Sequence, residues 1–495
     1  MLSEYRQHFG QFQTAIIRED YLFRAGQKTA RDAASLFGEF SDLFRLSAAD
    51  ELRAKLEETS ESRETERASI RRLIAFALEN NLAARTQEVS AEIESHEAVS
   101  KLDWNGQRIG LNQTTALLAK ESDSKNRRDL FARRADLVKA SQDLRTARFE
   151  ILHDGARELS FESRLAMRRE LRGVDFDKLV AEAEGILTKT ESRYVSALAP
   201  LIARETSVFI DEATAADLPF LNRYSRFDAF FVREQMLRIY RELFSNLGFN
   251  TEKQSNVEID SAARPGKQAQ AFCSPIRVPD EIKLVVNLTG GQANYAEFLR
   301  EAGHAQLFAW TSRNLYPEFQ IGGDPAVVES WGMLFENLLL EESWLIGTLG
   351  FVENAEFRHS LSVLRLMRLR RQAAKLIYEA EFHSGKLSGR AGQRYAELMT
   401  DAVRVQFDET DHLRDLSDDL RPASFLRAAA FEAQMRDYLK TKFGSRWWAS
   451  AKAGEALIDL WNTGQRYSIE ELAAMIGLGE LNFESLTTEF MKQIG

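Results

Sequence analysis

Apolar residues recur at helical spacing along most of this chain and give way to strand-like patterning in only two short stretches, so the fold class expected is mainly α. Residues 30–44 are one example, with Ala33, Leu36, Phe37, Phe40 and Phe44 on a common face. The same periodicity runs through residues 230–247. Only 8 prolines interrupt 495 residues, which leaves long helices intact. The first exception is residues 101–109, where Asn105-Gly106 between short apolar segments predicts a tight hairpin. The second is a pair of β-branched runs, residues 271–278 and 281–288, flanking Pro279-Asp280 and predicting an antiparallel pair. The small, polar stretch at residues 212–219 places a lobe boundary between about 195 and 225. The expected division is an N-terminal helical lobe, 1–200, and a second domain, 201–495.

Charge and composition exclude several classes of function. Basic residues number 65 and acidic ones 75, a net charge of −10, which argues against nucleic acid or anionic membranes as partners. No stretch approaches the roughly 18 apolar residues of a membrane span, since Leu338-Leu339-Leu340 runs directly into Glu341-Glu342. The start, Met1 to Arg6, lacks the apolar run of a signal peptide, and the one cysteine, Cys273, cannot form an internal disulfide. A cytoplasmic location is the resulting expectation.

Immediately after the second strand, residues 296–308 have the spacing of a buried helix, with Arg300 and His304 at i and i+4 on one face. A zinc peptidase uses two histidines at that spacing as ligands, with the glutamate after the first as general base, in the pattern H-E-x-x-H. This chain reads Arg300-Glu301-Ala302-Gly303-His304 instead. A further helix is expected from Pro325, with Asp324 as its cap, and it carries Val328-Glu329 and Glu336-Asn337. Upstream stands Arg264-Pro265-Gly266-Lys267, followed by Ala271-Phe272-Cys273.

Taken together these segments resemble the oligopeptidase F and thimet oligopeptidase family of gluzincin zinc metallopeptidases, closely over residues 256–342 and more thinly elsewhere. The resemblance implies a two-lobed helical fold with a deep cleft and a small antiparallel sheet beside the motif helix. It also places Glu301 at the general-base position, now vestigial, and His304 and Glu329 at the second and third metal-ligand positions. The first-ligand position is taken by Arg300. The family's oxyanion-stabilising tyrosine and histidine have no recognisable counterpart, and residues 419–432, the corresponding neighbourhood, contain no tyrosine.

Arginine at the first-ligand position changes the chemistry. A guanidinium has no lone pair to donate and stays protonated at any accessible pH. At about 4 Å from a dication, with an effective dielectric of about 20, its repulsion is roughly 8 kcal/mol. That rivals much of the roughly 10–16 kcal/mol of a good structural zinc site. The expectation is no cofactor, with zinc the metal if the chain is active. Arg300 is expected to pair with Glu329 on the facing helix, and a protonated His304 to complete the charge balance.

The functional expectation is a pseudo-peptidase that takes peptides or a protein partner without hydrolysis. The alternatives are an active or weakly active metallo-oligopeptidase cleaving short peptides, and a structural or regulatory interaction protein. Metal content with a hydrolysis assay separates the first two, and peptide binding separates the first from the third. Other features have plainer readings. His359, His383 and His412 lack ligand spacing to one another, with His412 the candidate to line the cleft. Cys273 reads as a packed strand residue, the basic run Arg365 to Arg371 as a solvated helix face, and Trp447, Trp448 and Trp461 as core.

Overall fold

The computed structural model describes residues 2–387 and 389–495. Among the described residues helices dominate and strands are confined to two small sheets, so the protein is mainly α. No described helix is long and apolar enough to cross a membrane. The chain divides into two compact units, each built from three segments of the sequence. The first is built from residues up to Asn81, Ser225–Arg358 and Arg427–Leu486, and the second from Leu82–Tyr224, His359–Leu426 and Thr487–Gly495. The sequence division at 200/201 falls inside the helix Phe176–Thr206, which continues through Pro200.

The second unit contains the hairpin of β1 (Lys101–Trp104) and β2 (Gln107–Gly110), paired antiparallel from Lys101↔Gly110 to Trp104↔Gln107. Asn105 (φ 50°) and Gly106 (φ 75°) both adopt the left-handed conformation that this two-residue turn demands. The first unit holds the other sheet, β3 (Val257–Asp260), β4 (Phe272–Arg277) and β5 (Glu281–Val285), in the order β3-β5-β4. β4 and β5 pair antiparallel as expected, whereas β3 joins β5 in parallel. The N-terminal helix Leu2–Arg24 packs on this sheet through Tyr21, with Ala25 beyond its end, against Phe272, Ile276 and Val285.

Tertiary packing shortened two helices relative to the sequence reading. Residues 30–44 form a helix only over Ala33–Glu39, started by Asp32, whose side chain accepts from Ser35 N. A 3-10 turn, Ser41–Phe44, follows, and Phe37, Phe40 and Phe44 close around the Phe12 ring at centroid distances of 5.4, 5.6 and 5.0 Å. Residues 230–247 become helical only at Met236–Asn246. Ahead of them Phe230 stacks on Phe351 with centroids 3.9 Å apart, and the backbone follows the rings into 3-10 turns.

The reading of Arg365 to Arg371 as a solvated face is corrected at Arg370. This residue lies in the helix Ala355–His383 and is 1% exposed. Its guanidinium donates to Thr190 Oγ1, to the carbonyls of Leu187 and Ala402, and to the Glu191 carboxylate, which together supply the partners a buried cation needs. Trp447, Trp448 and Trp461 are buried, as expected of core residues.

Candidate functional site

The site is assembled within the first unit from two helices and the edge of a sheet. The motif helix, Gln292–Trp310, starts after Gly291, whose φ of 82° suits glycine. Its first amide is capped from a distance, Gln292 N–H donating to Asp228 Oδ1 at 3.0 Å. A Cβ on Gly291 would lie 2.9 Å from that same oxygen, so glycine is also required sterically.

The facing helix, Pro325–Glu336, begins as its sequence predicts, with Pro325 in the first turn and Asp324 Oδ1 accepting from Ala326 N at 3.1 Å. Asp324 is held further by Arg427, which donates to both its oxygens at 3.0 and 2.7 Å and also to Glu470. Burial alone would raise the Asp324 carboxyl, but the Arg427 charge and these hydrogen bonds bring it below the usual carboxylate range. Arg427 comes from the segment where an oxyanion element was sought, and it serves the cap of the facing helix.

The two helices approach closely through paired glycines. A Cβ on Gly303 would stand 2.4 Å from the Trp331 carbonyl oxygen, and one on Gly332 would stand 2.3 Å from His304 Nε2. Only hydrogen at both positions permits this contact. It brings Arg300 and His304 against Glu329 and Glu336.

Arg300 lies between the carboxylates of the facing helix. Nη1 donates to Glu336 Oε2 at 2.6 Å and Nη2 donates to Glu329 Oε2. The pair expected with Glu329 is therefore present, and Glu336 is a second partner that the sequence reading missed. Its position was available as a signal, because Glu336 is seven residues after Glu329 and shares its helix face. Burial works against the Arg300 charge, but Glu329 first and then Glu336 outweigh it and hold the guanidinium above even its ordinary pKa.

His304 is buried. Its Nδ1 is 3.0 Å from Glu301 Oε2, while Nε2 faces Gly332 and has no hydrogen-bond partner among the described residues. Burial favours the neutral ring; the Glu301 charge and hydrogen bond, with Glu329 behind them, oppose it and raise the pKa, while Arg300 pulls the other way. Glu301 Oε2 also accepts from the backbone N–H of Cys273 in β4 at 2.9 Å. Cys273 itself is half-buried, and burial followed by the Glu301 charge pushes its thiol well above the usual range, away from nucleophilic character.

These residues do not fit a bound metal. The Arg300 guanidinium, which has no lone pair to donate, engages the Glu329 carboxylate, and the His304 nitrogen that lacks a partner is turned against the facing backbone. Among the described residues no group of three or more histidine, cysteine, aspartate or glutamate side chains is placed to hold a metal ion. The three other histidines weighed as ligands all belong to the second unit. His359 is exposed, His412 is half-buried beside Gln142, and His383 is buried with its Nδ1 3.1 Å from His153 Nε2.

By sequence, no protein-family model and no curated protein matches the chain. By structure, it shares its fold with known peptidases. PZ peptidase A with an inhibitor superposes with a TM-score of 0.68 at 16% identity, over 93% of this chain and 86% of that one. A structure described as oligoendopeptidase F gives 0.66 at 16% identity, over 96% of this chain and 85% of the other. The carboxypeptidase of Pyrococcus furiosus, in its Apo-Mg form, gives 0.63 at 13% identity, over 100% and 98%. The scaffold is that of the helical peptidases. More narrowly, its fold is the one shared by these three structures, oligoendopeptidase F among them.

Proposed function

We propose that this chain is a pseudo-peptidase, which uses a peptidase scaffold to take a peptide or a protein partner without hydrolysing it. The observation that carries this reading is Arg300 bridging Glu329 and Glu336. A fixed positive charge then does the electrostatic work of a metal dication, pairing the carboxylates of the facing helix, but it supplies no Lewis acid and activates no water. Glu301 retains its carboxylate, yet a general base needs a polarised water to act on, and its Oε2 is shared between His304 and the Cys273 amide. The action is proposed to take place in the cytoplasm.

The test is a combined metal and activity measurement on the purified full chain. The expected result is much less than one zinc per chain after mild dialysis, with no chelator-sensitive cleavage of a quenched fluorescent peptide. Stoichiometric zinc together with cleavage abolished by chelator would overturn the reading in favour of an active peptidase.

A further inference from the structure

β4 is an edge strand, because the sheet order is β3-β5-β4. In an antiparallel ladder, alternate residues turn their N–H and C=O groups toward the neighbour and away from it. Cys273 stands opposite Leu284 in the β4–β5 register but gives its N–H to Glu301 on the motif helix, so it is an outward residue. Two positions on either side, Ala271 and Pro275 are outward as well. Ala271, just ahead of the strand, donates its N–H to Glu297 Oε2 at 3.3 Å. Pro275 has no N–H to give.

The outward row of this edge is therefore spoken for. Glu297 and Glu301 are i and i+4 on the motif helix and share one face. Four residues of helix advance about 6 Å, and two residues of strand advance about 6.7 Å, so carboxylates one helical turn apart match successive outward amides of the strand. An incoming strand must accept from edge amides as well as donate to edge carbonyls. Along β4 it meets amides already bonded to carboxylates, and then a proline.

We propose that Glu297 and Glu301 cap the outward amides of β4 and close this edge to strand addition, which makes Glu301 a strand-positioning residue. Any peptide or partner is then held other than by pairing with β4. The proposal goes beyond the absence of hydrolysis and stands whether or not peptides bind elsewhere on the chain.

Residue-resolved amide exchange on the full chain tests the capping, and peptide binding tests the closure. In the wild type the Cys273 amide should be protected to a degree similar to Ser274, which faces β5. Glu301→Ala should accelerate exchange at Cys273 by about tenfold or more, while Glu301→Gln, which keeps an acceptor oxygen, should stay near the wild type. Cys273 exchanging in the wild type like an open edge amide would overturn the proposal, and that measurement requires no variant to fold. For closure, the probe is a fluorescein-labelled alternating serine–valine peptide, which favours extended backbone. It should bind the Glu297→Ala/Glu301→Ala protein at least about tenfold more tightly than the wild type. Equal affinity, or no binding to either protein, would overturn it.

Discussion

Replacing Arg300 by methionine keeps most of the side-chain volume and removes the charge, which makes the energetic role of the bridge measurable. The pair with Glu336 has a 2.6 Å contact between side chains only 13% and 11% exposed. Breaking one partner of a pair this buried leaves an uncompensated carboxylate and costs about 3 kcal/mol. Glu329 is 34% exposed on its side chain, so water screens it and its share is about 0.5–1 kcal/mol. The expected loss is therefore about 3–4 kcal/mol, a fall of about 1 M in the urea midpoint. Tryptophan emission is a suitable readout because every tryptophan except Trp104 lies in the first unit, with Trp331 on the facing helix itself. A second substitution, Glu336→Gln, should recover at least about 2 kcal/mol in the Arg300→Met background while destabilising the wild type. Midpoints that do not move, or single costs that simply add, would refute the bridge as an energetic element.

Two further perturbations follow from the same packing. Gly332→Ala would push a methyl into His304 and the Arg300 Cγ, at 2.3 and 2.9 Å, and should lower the tryptophan-detected stability by about 3 kcal/mol; a cost below about 0.5 kcal/mol would mean the helices separate easily. In the second unit, burial lowers His153 to about 4 and His383 to about 3, so both are neutral when folded and titrate first in the unfolded chain. Their contribution is complete above pH 6.5 and is lost as pH falls toward those values. Protection factors in the helix Gln142–Glu158, which correct for the intrinsic exchange rate, should fall between pH 6.5 and 4, and His153→Gln should flatten that dependence; protection that does not change with pH would contradict it.

Much of this arrangement is legible in the sequence, for identifiable reasons. Asn105-Gly106, Pro279-Asp280 and Asp324-Pro325 act through local backbone preference, and each sits where its chemistry predicts. The i, i+4 spacing of Arg300 and His304 likewise fixes which groups face Glu329. What stayed hidden depends on contacts distant in sequence. β3 is four residues long and gains its strand character by pairing with β5, more than twenty residues away. Arg370 looks like a surface arginine until Glu191 and the Ala402 carbonyl arrive from other helices. Glu297 looks like an ordinary helix residue until the Ala271 amide is placed beside it.

Isothermal titration of zinc into the wild type and Arg300→His, at the same pH and after the same dialysis, asks most directly whether a side-chain cation has taken the metal's place. Histidine at 300 restores a nitrogen donor and removes a repulsion of several kcal/mol, so the variant should bind zinc at least about a hundredfold more tightly than the wild type. Equal affinity in the two proteins, or a wild type that already carries one tightly held zinc, would contradict it.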